Sequence, residues 1–197
     1  RNNFNVMTLN KLIGFMKREA DLPPKSIVIT FDDGYKNNCL YALPILNRME
    51  FKATFFLIAG SIGKDEPFKH LLWDQASSAF FSKHTETRLP LSWEDVTVMQ
   101  CCGMEIGSHG LTHRSIGYLG REAAQREIFE SKEILEDAIS SKVKSFSYPF
   151  GSVIYNDFNA HTANILRDAG YESACTTEIG AVAKGDSVYE LRRIPVR

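Results

Sequence analysis

Residues 26–34 read Ser26-Ile27-Val28-Ile29-Thr30-Phe31-Asp32-Asp33-Gly34. β-Branched and aromatic residues crowd the run behind Pro23 and Pro24, without helical spacing, so 26–31 reads as a buried strand. The pattern recurs downstream. Lys52–Ala59, Met104–Ser108, Val143–Tyr148, Tyr171–Thr176 and Leu191–Val196 read as further strands. Helical patterns alternate with them. Lys36 to Met49 has apolar residues at helical spacing, with Pro44 expected to kink or stop it. Ser92–Cys102 is expected to be a helix capped by Ser92, with Asp95 three residues on and Gly103 as its stop. Gly120–Ser140 puts Ala124, Ile128, Leu135 and Ile139 on one face, with Glu122–Arg126 and Lys132–Glu136 as expected exposed i,i+4 pairs. Phe158–Ala169 is a further helix, closed by Gly170. Repeated strand–helix units make an α/β fold with a parallel sheet and helices outside it. No glycine-rich dinucleotide turn follows the strand at 26–31, which favours a barrel over an open doubly wound sheet. The 197 residues are short for a complete eightfold barrel, which takes about 250, so fewer strands are expected.

The length suits one domain, spanning 1–197, with a single core. Residues 61–91 make an unusually long connection, in which Phe68, Leu72, Ala76 and Phe80 recur every four residues. That stripe is expected either to pack as a helix on the barrel wall or to form a lid near the site. The net charge of −1 gives no pull toward nucleic acid or an anionic membrane surface. No apolar run approaches the ~20 residues needed to span a bilayer. The first residue is Arg1 and no signal-like segment follows, so targeting is not read from this end of the chain. Cys39, Cys101, Cys102 and Cys175 form no Cys-x-x-Cys pair, and structural disulfides are not expected.

Three strand ends carry chemistry. Asp32 and Asp33 are adjacent, and neighbouring side chains of a regular strand point apart. Both enter one pocket only if the chain bends, as Gly34 permits. An Asp-Asp-Gly is also an ordinary turn. The second segment is Ser108-His109-Gly110-Leu111-Thr112-His113, whose two histidines at i and i+4 lie on one face of a helical turn if one forms. Two neutral imidazoles and one carboxylate make a three-ligand metal site with an open position, and leave one aspartate spare to act as a base. The third is Phe146-Ser147-Tyr148-Pro149-Phe150-Gly151, whose flat rings suit the apolar faces of sugars.

Together the three segments resemble the polysaccharide deacetylase family, or NodB-homology domain, from about Lys25 to Val196. The resemblance implies an incomplete, distorted (β/α) barrel of about seven strands. It implies that Asp33, His109 and His113 hold a divalent metal, commonly Zn2+, that Asp32 is the general base, and that the backbone N–H of Phe150 binds the oxyanion. The substrate class implied is an N-acetylated polysaccharide or oligosaccharide, and the location the cell envelope, periplasm or exterior. Two positions depart from the family pattern. Ser147 stands where an arginine often pairs with the base, and Leu191-Arg192-Arg193 stands where Leu-x-His often supplies a general acid. The Tyr-Pro-Phe-Gly motif at 148–151 and the ending Arg-Ile-Pro-Val look like a branch of exopolysaccharide and cell-envelope deacetylases.

Arg193 is expected to fill the vacant place, because the last strand of a barrel closes near the first and its guanidinium can then fork onto Asp32. Arginine cannot act as the acid. Asp32 can return the proton it takes, and His161 is a remoter candidate. An O-acetyl esterase acting on xylan-like substrates, a non-sugar amidase and a glycan-binding protein without catalysis remain alternatives.

Overall fold

The computed structural model describes residues 4–68 and 88–196. Among them seven parallel strands form one sheet in chain order: β1 (Asn5–Met7), β2 (Ser26–Phe31), β3 (Ala53–Leu57), β4 (Glu105–Ser108), β5 (Ser145–Ser147), β6 (Ser173–Ile179) and β7 (Leu191–Arg193). Among the described residues no pairing joins β7 to β1, so the curled sheet is an incomplete, distorted (β/α) barrel, as the sequence implied. The run at 26–31 is the second strand, not the first. Sequence reading missed β1 and the following helix α1 (Leu9–Lys17), because three residues carry no readable alternation.

Helix α2 (Leu43–Arg48) follows a π-helical turn over Asn38–Ala42. Pro44 therefore ends nothing. It sits in the first turn of α2, where a missing N–H costs little, and the widened turn before it absorbs the mismatch. Helix α3 (Trp93–Cys101) has the full capping box of Ser92 and Asp95, and Gly103 follows with φ +76°. Helix α4 (Arg121–Ile139) buries Ala124, Ile128 and Leu135. Its surface pairing differs from expectation: Arg126 pairs with Glu130 at 3.0 Å, and the Lys132–Glu136 pair is largely buried, not exposed. There Glu136 also bonds Lys142 and the Val143 N–H, so the pair seals the turn into β5. Helix α5 (Ala160–Asp168) is capped by Asn159.

Strand alternation divides the core. Phe55 points outward to the large cluster with Leu46, Met99, Ile128, Phe146 and Leu166. Phe56 points inward, with Cys175 and Leu191, against Leu9, Leu12 and Ile13 of α1. Beside Phe56 the strand needs Gly107, since a Cβ there would lie 2.5 Å from its ring. The inner face is thus filled by one aromatic ring packed among aliphatic side chains, and polar side chains gather at the carboxyl ends of the strands. Phe68 is buried with its ring edge-on to Tyr35. The rest of the expected stripe, Leu72, Ala76 and Phe80, lies outside the described residues. All four cysteines are free thiols. No helix among the described residues is long and apolar enough to cross a membrane.

Candidate active site

The chain leaves β2 at Asp32 and turns immediately. The Gly34 N–H donates to the Asp32 carbonyl at 3.0 Å across Asp33, whose φ is +72°. This is a γ-turn of the rare, strained, positive-φ kind. It solves the problem of adjacent carboxylates on an extended strand, because the bend falls on Asp33 itself and both side chains face one pocket. The Tyr35 hydroxyl bonds Asp33, and burial together with that carboxylate raises its pKa.

His109 and His113 meet Asp33 from the segment after β4. Their Nε2 atoms stand 3.3 and 3.4 Å from Asp33 Oδ1, and one ligand atom from each of the three residues lies within 4.8 Å of the others. No helical turn carries the two histidines, contrary to the spacing argument. Residues 109–115 are irregular, with Gly110 at φ +79° and His113 at φ +62°. A left-handed step at each brings the rings together.

His109 Nδ1 lies 2.7 Å from the Ser147 carbonyl, an acceptor only, so Nδ1 carries the proton and Nε2 presents its lone pair to the pocket. Burial pushes the His109 pKa down, but the carboxylates of Asp32 and Asp33 outweigh it and hold the ring above its ordinary value. The pocket therefore favours positive charge at the point where the three ligand atoms converge. Two imidazole nitrogens and one carboxylate oxygen, with one tautomer fixed by a backbone carbonyl, fit a divalent ion with open coordination positions.

Asp32 stands beside this group and belongs to a second one. Arg193 donates from Nη1 to Asp32 Oδ1 and from Nη2 to Oδ2, both at 2.8 Å. The same guanidinium reaches Thr30 Oγ1, Ser147 Oγ and the Thr176 carbonyl, and its carbon lies 5.9 Å over the Phe56 ring. Burial pushes the Asp32 carboxyl up, yet His109 and Arg193 together hold it below the usual carboxylate range, so it stays ionised. Ser147 adds a weaker contact to Asp32 at 3.4 Å.

Phe150 follows β5 in a second strained γ-turn, with φ +63° and the Gly151 N–H donating to the Pro149 carbonyl at 2.8 Å. Its ring leans on His113, centroids 4.9 Å apart. Among the described residues the Phe150 N–H donates to no other group. Arg193 itself stands in the place of the often-present histidine, and its neighbour Arg192 lines a separate groove of about 370 Å³ with Ile154, Glu178 and Ile179. His161 is exposed on the first turn of α5, outside the Asp33–His109–His113 group.

Residues 19–174 match the family described as polysaccharide deacetylase. The chain belongs to the polysaccharide deacetylase family. The YxkH protein of Bacillus subtilis is 28% identical over 195 residues, covering 99% of this chain and 60% of that protein. The poly-beta-1,6-N-acetyl-D-glucosamine N-deacetylase of Staphylococcus aureus strain MRSA252 is 25% identical over 191 residues, covering 95% of this chain and 60% of that protein. This member of the family thus spans about three fifths of the length of the curated relatives it matches. Among solved structures, the Streptococcus pyogenes deacetylase PplD in complex with acetate superposes with a TM-score of 0.79 at 20% identity, covering 98% of this chain and 74% of that one.

Sequence reading missed two residues that touch this polysaccharide deacetylase site. Tyr35 directly follows the Asp-Asp-Gly and was readable as part of it. Glu127, on α4, accepts from the Leu111 and Thr112 N–H groups. Its only signal is a carboxylate set within the apolar stripe of Ala124, Ile128 and Leu135.

Proposed function

We propose that the chain, acting as one catalytic domain, hydrolyses N-acetyl groups on N-acetylated sugars of a polysaccharide and releases acetate. The observation that carries this is the convergence of Asp33, His109 and His113 directly beside the arginine-clamped Asp32. A divalent ion held by Asp33, His109 and His113, taken as Zn2+, supplies a Lewis acid that polarises the acetamide carbonyl and acidifies water. Asp32, kept anionic and fixed by Arg193, accepts the proton of the attacking water. The Phe150 N–H donates to the carbonyl oxygen as it becomes negative, an interaction typically worth about 3–4 kcal/mol. The strained turn aims that N–H, and the half-exposed Phe150 ring offers a face for the sugar.

The leaving amine needs a proton. Arg192 and Arg193 cannot give one, and His161 is not in the group. Asp32, once protonated, returns it, so one carboxylate serves first as base and then as acid. The S. aureus relative's name favours a poly-N-acetylglucosamine-type glycan of the cell envelope or exterior as substrate, and nothing in the charge or the site favours nucleic acid.

The test is acetate release from matched N-acetylated and O-acetylated oligosaccharides, with chelator and with Zn2+ restored. Release from the N-acetylated set, lost with chelator and regained with metal, is expected. No release from any N-acetylated sugar, or release indifferent to chelator, would refute the proposal.

A further inference from the structure

An irregular loop holding two metal ligands must have its backbone groups satisfied from outside, since no helix satisfies them. In the segment after β4 that accounting is nearly complete, and it converges on α4. The Glu127 carboxylate is 4% exposed. Its Oε2 accepts the Leu111 N–H at 3.0 Å and the Thr112 N–H at 2.8 Å, and its Oε1 accepts the Thr112 hydroxyl. One helical turn further on, Ser131 Oγ takes the Ser108 hydroxyl at 2.9 Å, and Ser108 Oγ in turn accepts the Gly110 N–H at 3.2 Å. On the other side the carbonyls of Gly110 and Leu111 accept the N–H groups of Ala59 and Gly60 at 3.0 and 2.9 Å. Glu127 is thus the one charged group in the clamp. It holds two of the three residues, Leu111 and Thr112, that lie between His109 and His113 in the chain.

We propose that Glu127 is a positioning residue for the metal site: its carboxylate sets the path of residues 110–113, left-handed at Gly110 and His113, and so fixes the distance between the two imidazoles. This inference rests on the proposed ligand set of Asp33, His109 and His113. The geometry separates reach from charge. Glu127→Asp keeps the charge but withdraws the carboxylate by one methylene, about 1.5 Å. Glu127→Gln keeps the reach: its amide oxygen can accept both N–H groups and its NH2 can donate to the Thr112 hydroxyl.

The experiment measures Zn2+ affinity of the metal-free chain by competition with a chromogenic chelator, with circular dichroism and Tm as folding controls. Glu127→Asp is expected to bind about 10–100-fold more weakly, the range typical when a partner that orients a ligand is lost. Glu127→Gln is expected to keep most of the affinity. Unchanged affinity in Glu127→Asp overturns the inference, and so does a greater loss in Glu127→Gln, which would make Glu127 a charge and not a clamp. Glu127→Ala replaces the aspartate variant should that one not fold, with the same expected loss. His113→Ala is the control for the ligand set. Unaltered binding there would overturn the metal reading itself, whereas its loss beside wild-type binding in Glu127→Asp would remove only the role of Glu127.

Discussion

Arg193→Ala strikes the carboxylate clamp where it is strongest. The guanidinium has five N–H groups and makes five contacts: two to Asp32 at 2.8 Å, and one each to Thr30 Oγ1, Ser147 Oγ and the Thr176 carbonyl. Truncation leaves Asp32 with its charge and only the Ser147 hydroxyl, 3.4 Å away. Removing one partner of a buried ion pair costs about 3–5 kcal/mol. The Asp32 side chain keeps 28% exposure, which places the expected loss at the lower end, about 3 kcal/mol. For a chain of this length that lowers Tm by about 7 °C. The kinetic loss should be larger, because a base displaced by about 1 Å costs on the order of 100-fold in rate. Arg193→Lys restores a charge without the planar fork, so it should recover part of the Tm but little of kcat. The assay is steady-state acetate release alongside scanning calorimetry and metal content. An alanine variant with near-normal kcat would refute the clamp, as would a loss of kcat that merely tracked a loss of bound metal.

Three further outcomes are expected. Ser147→Arg places a second guanidinium in a fully buried position facing Arg193, so it should lower both Tm and kcat, and the swap Ser147→Arg with Arg193→Ser should recover activity relative to either single variant in the same acetate assay. Glu136, held by Lys132, Lys142 and the Val143 N–H, has its carboxyl lowered to about 2, so its contribution is present above pH 4.5 and is lost as pH falls toward 2. The Tm gap between wild type and Glu136→Gln should therefore be widest near neutrality, about 1–2 kcal/mol in stability, and close in acid, and a constant gap would contradict the assignment. Burial pushes the Cys175 thiol up to about 12, whereas Cys101 is exposed, so native alkylation followed by peptide mapping should label Cys101 and spare Cys175.

The parts of the fold written in local chemistry were legible. Capping by Ser92 and Asp95, the stops at Gly103 and Gly170, and the apolar runs at 26–31 and 53–57 all depend on neighbours in sequence. What escaped depends on partners far along the chain. β1 is a strand because it pairs with β2, and its three residues do not announce it. The spare stripe of Leu9, Leu12 and Ile13 was the available sign of α1. The site behaved likewise. Its residues could be named from strand ends, but the His109–His113 geometry was attributed to a helical turn when it arises from a loop braced by Glu127, fourteen residues beyond His113. Arg193 was reachable by reasoning because barrel curvature, a global property, brings β7 back toward β2.

The positive φ angles of Asp33, His113 and Phe150 set evolution of the site against evolution of the scaffold. Each such residue costs on the order of 1–3 kcal/mol that glycine would largely avoid. A selection for heat resistance alone, applied to a library of variants, would therefore reward glycine at 33, 113 and 150 and would discard two of the proposed ligands and the ring proposed to face the sugar in doing so. Thermostabilised descendants of this chain should be sought at other positions, and variants recovered by stability screening should be sequenced at these three before their activity is interpreted.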